Sequence, residues 1–475
     1  MHHVYFMGIG GTAMGSVAIL LKQKGYRVSG SDQNLYPPMS DRLRDAGIET
    51  WEGYDAAHLV IAAPDLVVVG NVIGRGNPEA EWLLEHRTLR FVSLPELIRT
   101  HLIGNRDAIV ISGTHGKTTT TALIQHLLTR SGVRPGHLIA GVPNAGFPSA
   151  FDGDPDSPFV IEGDEYDSAF FDKRSKFIHY FPKILIINNL EYDHADIFRD
   201  LDDVERSFKH LVRLVPASGS ILINGDDARL AEWVRASSFS RVWTIGCGAE
   251  NDVRIKDFSE RADGSCFSLE ISGCPWMEVS WSLAALYNAR NAAMAALATA
   301  LQLNPRDPGL VKVSGFEAFE GVRRRQQIRL RKESLLVVED FGHHPTAVKE
   351  TLRSLRNRFP DRALWVCFEP RSNTATMPVF EREWIEALGL SQRCWIAPVH
   401  RANLIPDERR LNTARIALTL TTNHGVDASA HTALDEMETS LYAGLDAERD
   451  PKLLVFFTNG SFGGLIDRSV ARYSK

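Results

Sequence analysis

A loop rich in glycine, lysine and threonine follows a short apolar stretch near residue 110 and precedes a helix-like segment. The loop consists of Gly113, Thr114, His115, Gly116, Lys117, Thr118 and Thr119. Backbone N–H groups of such a loop can converge on one point, where Lys117 adds a cation and Thr118 or Thr119 offers a hydroxyl to Mg²⁺. Ile111 stands where the strict P-loop pattern has its first glycine. The segment nevertheless predicts a cradle for nucleotide phosphates rather than an ordinary glycine turn.

A second glycine loop lies near the start of the sequence, between a predicted strand and a predicted helix. It contains Gly8, Gly10, Gly11, Thr12, Ala13 and Met14. Such a loop can hold the diphosphate of NAD, of a flavin or of another nucleotide. Asp32 ends the second predicted strand, where an acid usually meets a ribose hydroxyl, and Asn71 ends the next one. This loop alone favours a nicotinamide dehydrogenase, but a second phosphate loop at 113–118 indicates a nucleotide-linked substrate together with ATP.

Acidic and amide side chains follow two further apolar strands. They are Glu162, Asp164 and Glu165 after the first, and Asn188, Asn189, Glu191, Asp193 and His194 after the second. Hard oxygen ligands suit Mg²⁺, although a solvated acidic loop would have the same composition. Because parallel strands end at one edge of a sheet, these side chains are expected to meet Lys117 there. Three convergent strand ends therefore predict a magnesium site.

Three more groups could contribute to a nucleotide site. Asn288 and Asn291 share one face of a predicted helix, where they could hydrogen-bond adenine or could simply face solvent. An arginine from Arg323–Arg325 could stabilise the charge that develops during phosphoryl transfer. A last apolar strand is followed by Glu339, Asp340, His343 and His344, just before a proline that can begin a helix.

Alternating apolar strands and amphipathic helices predict an α/β fold with parallel sheets to position these residues. A length of 475 residues suggests three domains. We expect a Rossmann-like domain at 1–106, a central P-loop ATPase-like domain at 107–306 and a C-terminal Rossmann-like domain at 307–475. Strand-like segments at 241–281 suggest an antiparallel appendage, and residues 304–309 suggest a linker.

The composition and charge argue against a nucleic-acid-binding protein and against a membrane protein. A net charge of −6 gives no basic footprint for nucleic acid. The sequence shows no basic leader and no apolar run of 18 residues, so we expect a cytoplasmic protein without a membrane partner. Five scattered cysteines without metal-ligand spacing indicate reduced thiols. The oligomeric state is left open.

Taken together, the motifs resemble those of the Mur ligases, the ATP-dependent enzymes that build the peptide stem of the bacterial cell wall. The resemblance covers essentially the whole chain and lies in GIGGTAMG, GTHGKTTTT, EGDE, NNLEYDH, NARNAAMAA, GVRRR and EDFGHHPTAV. Within the family, EGDEYDSAFFDKRSKF and FEPRSNT look like the branch that joins the recycled murein tripeptide L-Ala-γ-D-Glu-meso-diaminopimelate to UDP-N-acetylmuramate. A ligase that adds L-alanine would be expected to carry something like EADESD and HRYSRT instead.

The resemblance implies three substrates on three domains. UDP-N-acetylmuramate would bind the first glycine loop together with Asp32 and Asn71. ATP would bind Gly113 to Thr119, Asn288, Asn291, Arg325 and Asp340, with Mg²⁺ on Thr118, Glu162 and His194. The tripeptide would bind His344, Arg371, Ser372 and Asn373. The expected catalytic residues are Lys117, Glu162, His194, Arg325 and His343.

The implied reaction has two steps. The muramate carboxylate attacks the γ-phosphate of ATP to give an acyl phosphate, and the tripeptide amine then attacks the carbonyl. Some family members have a carbamylated lysine near the second metal, and Lys209, about one helix beyond His194, could be mistaken for it. This branch generally lacks that group, so we expect a surface lysine. Tyr287 replaces a histidine usual in the family. Two other hypotheses stay open: an L-alanine ligase, and an NAD(P)-dependent oxidoreductase built on the first domain.

Overall fold

The computed structural model describes residues 2–144 and 146–474, and its first sheet has five parallel strands in the order β3-β2-β1-β4-β5. The elements of this part are β1 (His3–Met7), α1 (Thr12–Gln23), β2 (Arg27–Asp32), α2 (Met39–Asp45), β3 (Glu49–Glu52), α3 (Ala56–Ala62), β4 (Leu66–Val69), α4 (Pro78–His86), β5 (Arg90–Ser93) and α5 (Leu94–Leu97). All five residues of β1 are buried, as expected for a central strand covered on both faces. The strand order reverses beside β1, which is where open α/β sheets bind ligands.

The second sheet has ten strands in the order β17-β16-β15-β14-β13-β12-β6-β9-β7-β8. Its elements are β6 (Ala108–Ser112), α6 (Lys117–Arg130), β7 (Gly136–Leu138), β8 (Ala150–Phe151), β9 (Phe159–Glu162), β10 (Asp167–Ala169), β11 (Asp172–Ser175), β12 (Ile184–Ile187), α7 (Leu201–Val212), β13 (Ser220–Asn224), α8 (Ala228–Ser237), β14 (Arg241–Gly246), β15 (Val253–Arg261), β16 (Gly264–Ile271), β17 (Cys274–Trp281) and α9 (Leu286–Leu303). Strands β10 and β11 form a separate hairpin. Strand β6 lies between β9 and β12, parallel to both, so the three ends that carry the predicted site are neighbours.

The segment at 241–281 differs from the expected antiparallel appendage. Strand β14 pairs in parallel with β13, and only β15–β17 form antiparallel hairpins. All four strands extend the central sheet rather than forming a separate unit. Local glycine and serine content suggested hairpins, but it could not show that the first strand of the segment continues the parallel order.

The third sheet has six strands in the order β18-β19-β23-β20-β21-β22, parallel except for β18. Its elements are β18 (Gln327–Arg331), β19 (Leu335–Asp340), α10 (Pro345–Arg358), β20 (Ala363–Phe368), α11 (Glu381–Leu388), β21 (Arg393–Ile396), α12 (Thr413–His424), β22 (Asp427–Ala430), α13 (Leu434–Ala447), β23 (Lys452–Phe457) and α14 (Leu465–Ser474). Before β18, the side chains of Val313, Phe316 and Phe319 still pack into the central core.

Apolar side chains cover both faces of the central and C-terminal sheets, with α6 and α9 on one face of the central sheet. The predicted α/β class with parallel sheets is confirmed. Within residues 2–144 and 146–474, no helix is long and apolar enough to cross a membrane.

Candidate active site

A cavity of about 1700 Å³ opens where the three sheets meet. Thr12 and Ser16 of α1 line it from the first part of the chain, and Lys117 lines it from the central part. Arg325 and His343 line it from the C-terminal part. The cavity therefore joins the two predicted nucleotide loops to the end of β19.

The loop between β6 and α6 needs glycine at two positions. Gly113 and Gly116 have φ of +115° and +84°, which side chains rarely adopt. A Cβ on Gly113 would also lie 2.7 Å from the carbonyl oxygen of Asn189. The amide of His115 donates to Asn189 Oδ1 at 2.8 Å, which ties the loop to the end of β12. The first N–H groups of α6 have no partner inside the helix and can bind an anion.

Lys117 lies between the loop and the acidic end of β9. Its ammonium donates to the carbonyl of Gly113 at 2.7 Å and to Glu165 Oε2 at 3.0 Å. Burial opposes the charge on Lys117, but the carboxylates of Glu165, Asp164 and Glu162 raise its pKa. The lysine is therefore a permanent cation at the mouth of the loop.

Two of the predicted metal ligands, Thr118 and Glu162, contact each other, whereas the third, His194, contacts Glu165, which was not predicted as a ligand. Thr118 donates its hydroxyl to Glu162 Oε2 at 3.0 Å, and the amide of Ala140 donates to Glu162 Oε1 at 2.7 Å. His194 Nε2 lies 3.1 Å from Glu165 Oε1. Burial raises the pKa of Glu162, so a cation beside it would stabilise its charged form. The oxygen-rich donor set suits Mg²⁺.

Asn288 and Asn291 are buried and line the cavity. Asn288 donates to the carbonyl of Ala284 at 2.7 Å, and Asn291 donates to Asn288 Oδ1 at 3.1 Å. A Cβ on Gly116 would meet Asn291 Oδ1 at 2.6 Å. The two amides thus lie directly behind the loop and do not face bulk solvent.

The three consecutive arginines have different surroundings. Arg324 donates to Glu339 Oε1 at 2.7 Å and to the carbonyl of Thr458 at 2.9 Å, within the C-terminal part of the chain. Arg325 lies over the ring of Phe341 at 4.7 Å and lines the cavity. Its charge lowers the pKa of Glu162, against the larger effect of burial. All three arginines line the cavity, and Arg325 is the one whose charge acts on Glu162.

The end of β19 brings an acid and two histidines towards the central domain. Asp340 accepts from the amides of Gln326 and Gly342 at 2.8 and 2.7 Å, and burial raises its pKa. His343 Nε2 lies 3.8 Å from Asp193 Oδ2, and burial lowers the pKa of this imidazole to about 4. His343 is therefore neutral at physiological pH.

His344 differs from His343 in its environment. Its Nδ1 caps α10 by accepting from the amide of Thr346 at 3.4 Å, and it lies 3.2 Å from Glu191 Oε2. The ring lies 4.9 Å from that of His115, between centroids. His115, Glu191 and His344 offer possible metal-ligand atoms within 4.8 Å of one another. His344 therefore lies against the phosphate loop.

The other residues predicted to bind peptide lie in the loop after β20. Ser372 accepts from the amide of Ala375 at 3.1 Å, and Asn373 donates to Asp196 Oδ2 at 2.8 Å. Arg371 lies 3.5 Å from Glu369 Oε1, and a third of its side chain is exposed. None of the three lines the cavity of about 1700 Å³ as the described residues define it. Of the three, Asn373 is exposed, whereas Arg371 and Ser372 are partly buried.

The first glycine loop packs tightly on the end of β2. Gly8 has φ of +89°, and the amide of Gly10 donates to Asp32 Oδ2 at 2.8 Å. Thr12 and Ala13 line the cavity, whereas the side chain of Met14 is buried. The remaining predicted residues, Gly11 and Asn71, are exposed. Asp32 therefore holds the glycine loop itself in the described structure.

The two residues that depart from the family pattern lie in different surroundings. Lys209 is partly exposed, 3.5 Å from Glu205 Oε2 and over the ring of Trp233. It does not line the cavity formed by the described residues. Tyr287 does line it, and its hydroxyl accepts from Gln326 Nε2 at 2.5 Å.

Comparison with known proteins identifies the family to which this chain belongs. The family profile described as the Mur ligase middle domain matches residues 111–300, and the one described as the Mur ligase family, catalytic domain, matches residues 3–103. The UDP-N-acetylmuramate–L-alanyl-γ-D-glutamyl-meso-2,6-diaminoheptandioate ligase of Haemophilus influenzae is 39% identical over 98% of this chain and 98% of its own. The chain belongs to the Mur ligase family.

Two further comparisons refine this Mur ligase's relationships. A crystal structure of a murein peptide ligase from Psychrobacter arcticus is 33% identical, with a TM-score of 0.70 over 99% of this chain and 98% of that one. The UDP-N-acetylmuramate–L-alanine ligase of Desulforapulum autotrophicum is 31% identical over 85% of each chain. The predicted family membership is confirmed, and the similarity to the tripeptide-adding relative is the higher of the two.

Some residues of this Mur ligase site were not assigned from sequence. Glu165 was recognised only as one of several acids, yet it contacts both Lys117 and His194. Asp193 accepts a buried hydrogen bond of 2.6 Å from Thr374 of the C-terminal part. Lys176 lines the cavity and pairs with Asp164 at 2.6 Å. Only the acidic strand-end pattern could have indicated Glu165, and no local pattern distinguishes Lys176 from its neighbour Lys173.

Proposed function

We propose that this protein is an ATP-dependent ligase that joins the murein tripeptide L-Ala-γ-D-Glu-meso-diaminopimelate to UDP-N-acetylmuramate in cell-wall recycling. The observation that supports this most is the single cavity lined by the phosphate loop, by α1 of the first domain and by the end of β19. Three reactants can meet there. The higher identity to a tripeptide-adding relative than to an L-alanine-adding one supports the choice of peptide.

We assign ATP to the central part of the cavity. Lys117 and the first amides of α6 would hold the β- and γ-phosphates, with Asn288 and Asn291 on the adenine side. Thr118, Glu162 and His194 would hold Mg²⁺, which neutralises charge on the transferred phosphoryl group. Arg325 would approach the same group from the C-terminal side.

We assign the first chemical step to a carboxylate on UDP-N-acetylmuramate, bound at the first glycine loop. This carboxylate attacks the γ-phosphorus, the bond to the bridging oxygen breaks, and ADP leaves. In the second step the tripeptide amine attacks the carbonyl of the acyl phosphate and phosphate leaves. His343 lines the cavity with a neutral imidazole, which can accept a hydrogen bond from the incoming amine.

The alternative hypotheses give different products. A nicotinamide-dependent oxidoreductase needs neither Lys117 nor a buried carboxylate at the end of β9, and the family membership removes its main support. An L-alanine ligase would share the first step and differ only in the amine. The test is ADP release with UDP-N-acetylmuramate and ATP, measured with tripeptide and with L-alanine as separate amines. Faster release with the tripeptide is expected, and faster release with L-alanine would contradict the proposal.

A further inference from the structure

We propose that Lys176 binds the carboxylate that the UDP-linked sugar presents to ATP, an inference that rests on the function proposed above. Lys176 directly follows β11 and begins a short helical turn, Lys176–His179. Its ammonium lies 2.6 Å from Asp164 Oδ2, and about a quarter of its side chain is exposed. The side chain lines the cavity together with Thr12 and Ser16 of α1.

The segment that supports Lys176 contacts the first domain. Phe171, at the tip of the β10–β11 hairpin, packs edge-on against Phe91 of β5, with ring centroids 5.0 Å apart. The turn that Lys176 begins contacts α5. In the sequence, only the β10–β11 hairpin separates Lys176 from the acidic end of β9. Lys176 therefore lies at the junction between the sugar-nucleotide domain and the phosphate loop.

The backbone around Lys176 is held in place. Arg174 forms two hydrogen bonds with Asp172, of 2.9 and 2.8 Å, and His179 Nε2 lies 2.9 Å from the same carboxylate. The amide of Lys176 itself donates to the carbonyl of Tyr166 at 2.9 Å. A cation on such a fixed backbone can orient a ligand without first becoming ordered.

The charges along the cavity are divided between two walls. Its arginines, among the described residues, all come from positions 290–358, on α9 and towards the C-terminal part. Two lysines also line the cavity, Lys117 at the phosphate loop and Lys176 beside the first domain, and its other basic side chains among the described residues are three histidines, His115, His194 and His343. Asp164 lies near both, and although burial opposes it, their charges lower its pKa. The acid thus links the two cations.

The chemistry requires a cation at this place. A carboxylate that attacks a γ-phosphate is an anion approaching an anion, and the repulsion must be offset. An ammonium has three hydrogen-bond donors. Lys176 can therefore keep its hydrogen bond to Asp164 and also bind one oxygen of the substrate carboxylate. The other oxygen then forms the bond to phosphorus, while the bond to the bridging oxygen breaks and its electron pair leaves with ADP. Lys176 keeps its proton throughout.

The test compares two sugar nucleotides that differ only by the 3-O-lactyl group, which carries the carboxylate: UDP-N-acetylmuramate and UDP-N-acetylglucosamine. Their dissociation constants are measured by calorimetry, without ATP, for the wild type, Lys176→Met and Lys173→Met. Lys173 is the matched control, because it lies on the same hairpin but is 69% exposed and paired with Asp167. We expect Lys176→Met to raise the dissociation constant for UDP-N-acetylmuramate by about tenfold or more. The dissociation constant for UDP-N-acetylglucosamine should stay unchanged. Lys173→Met should change neither.

Two additional variants separate charge from folding. Lys176→Met removes the cation that is hydrogen-bonded to Asp164. The double variant Asp164→Asn/Lys176→Met removes the charge of the acid as well and should show the same selective loss. Lys176→Arg should recover most of the preference for UDP-N-acetylmuramate. Equal weakening of the binding of both sugar nucleotides, or a preference retained in both Lys176→Met and Asp164→Asn/Lys176→Met, would overturn the inference about Lys176 alone. If the wild type itself does not prefer UDP-N-acetylmuramate, the proposed substrate is wrong.

Discussion

Lys117 and Glu165 form an ion pair of 3.0 Å between the start of α6 and the end of β9. Glu165 is 4% exposed in its side chain, and its other oxygen lies 3.1 Å from His194 Nε2. One nearly buried carboxylate thus orients the predicted phosphate-binding cation and a predicted metal ligand. Burial opposes protonation of His194, but the hydrogen bond to Glu165 and the nearby carboxylates raise its pKa.

Glu165→Gln should lower the turnover of ATP by about tenfold or more, because hydrogen bonds to charged groups contribute about 1.5–3 kcal/mol and the amide cannot accept from both partners as well. The KM for UDP-N-acetylmuramate should change little. ADP release under saturating substrates measures the effect. Asp167→Asn is the matched control, since that acid pairs with the exposed Lys173. Unchanged turnover with tighter ATP binding would show that Glu165 only competes with the nucleotide.

Lys117→Ala should abolish ATP turnover while UDP-sugar binding stays nearly intact. The two predicted nucleotide loops belong to different sheets, so loss of one should leave the other able to bind. Calorimetry with each ligand separately measures this. Equal loss of affinity for both would contradict the assignment of the two nucleotides to separate parts of the cavity.

Magnesium should be required, and Glu162→Gln and His194→Ala should each raise the Mg²⁺ concentration needed for half-maximal activity. The buried carboxylate of Glu162 is the charged oxygen donor beside Thr118, and its neutral amide binds a hard cation poorly. Titration of Mg²⁺ after removal of metal by a chelator gives the measurement. A variant with unchanged magnesium dependence would remove its residue from the predicted site.

The sequence was sufficient for the parts of the fold and site that depend on local patterns. Buried runs such as 109–111 and 184–187 predicted strands, and the glycines at 113 and 116 predicted the loop, because positive φ nearly requires that residue. The order of alternating elements was sufficient for the α/β class. These features are properties of a few adjacent residues.

Other features depend on which distant segments meet. The pairing of Glu165 with Lys117 depends on β9 lying next to β6. The contact of His344 with Glu191 depends on how the C-terminal sheet lies against the central one. No spacing within the sequence shows either relationship.

The domains should close when substrates bind. The C-terminal part is held to the central part by hydrogen bonds such as Thr374 to Asp193 at 2.6 Å and Thr346 to Glu191 at 2.6 Å. Small-angle scattering should show a smaller radius of gyration with UDP-N-acetylmuramate and a non-hydrolysable ATP analogue, since closure excludes water from an acyl phosphate. Thr374→Val should raise the radius of the ligand-free protein. No change with both ligands would count against closure.

Arg371 contacts Glu369 in the loop after β20. Glu369 accepts from Thr458 and is 7% exposed, whereas Arg371 keeps a third of its side chain exposed. The guanidinium lies directly on Gly460, where any Cβ would collide with it. Glycine at this position therefore leaves room for the arginine at the edge of the C-terminal sheet.

Arg371→Ala should raise the KM for tripeptide by one or more orders of magnitude, while the constants for ATP and UDP-N-acetylmuramate move little. The tripeptide brings carboxylates on its D-glutamate and diaminopimelate, and a charge-assisted hydrogen bond contributes about 1.5–3 kcal/mol. Arg371→Lys should recover only part of the loss, because an ammonium cannot bind a carboxylate bidentately. If Arg371 only pairs with Glu369, the variant should lose thermal stability, and the KM values for all three substrates should rise by similar factors. Wild-type enzyme that releases ADP faster with L-alanine than with tripeptide would instead favour the L-alanine ligase.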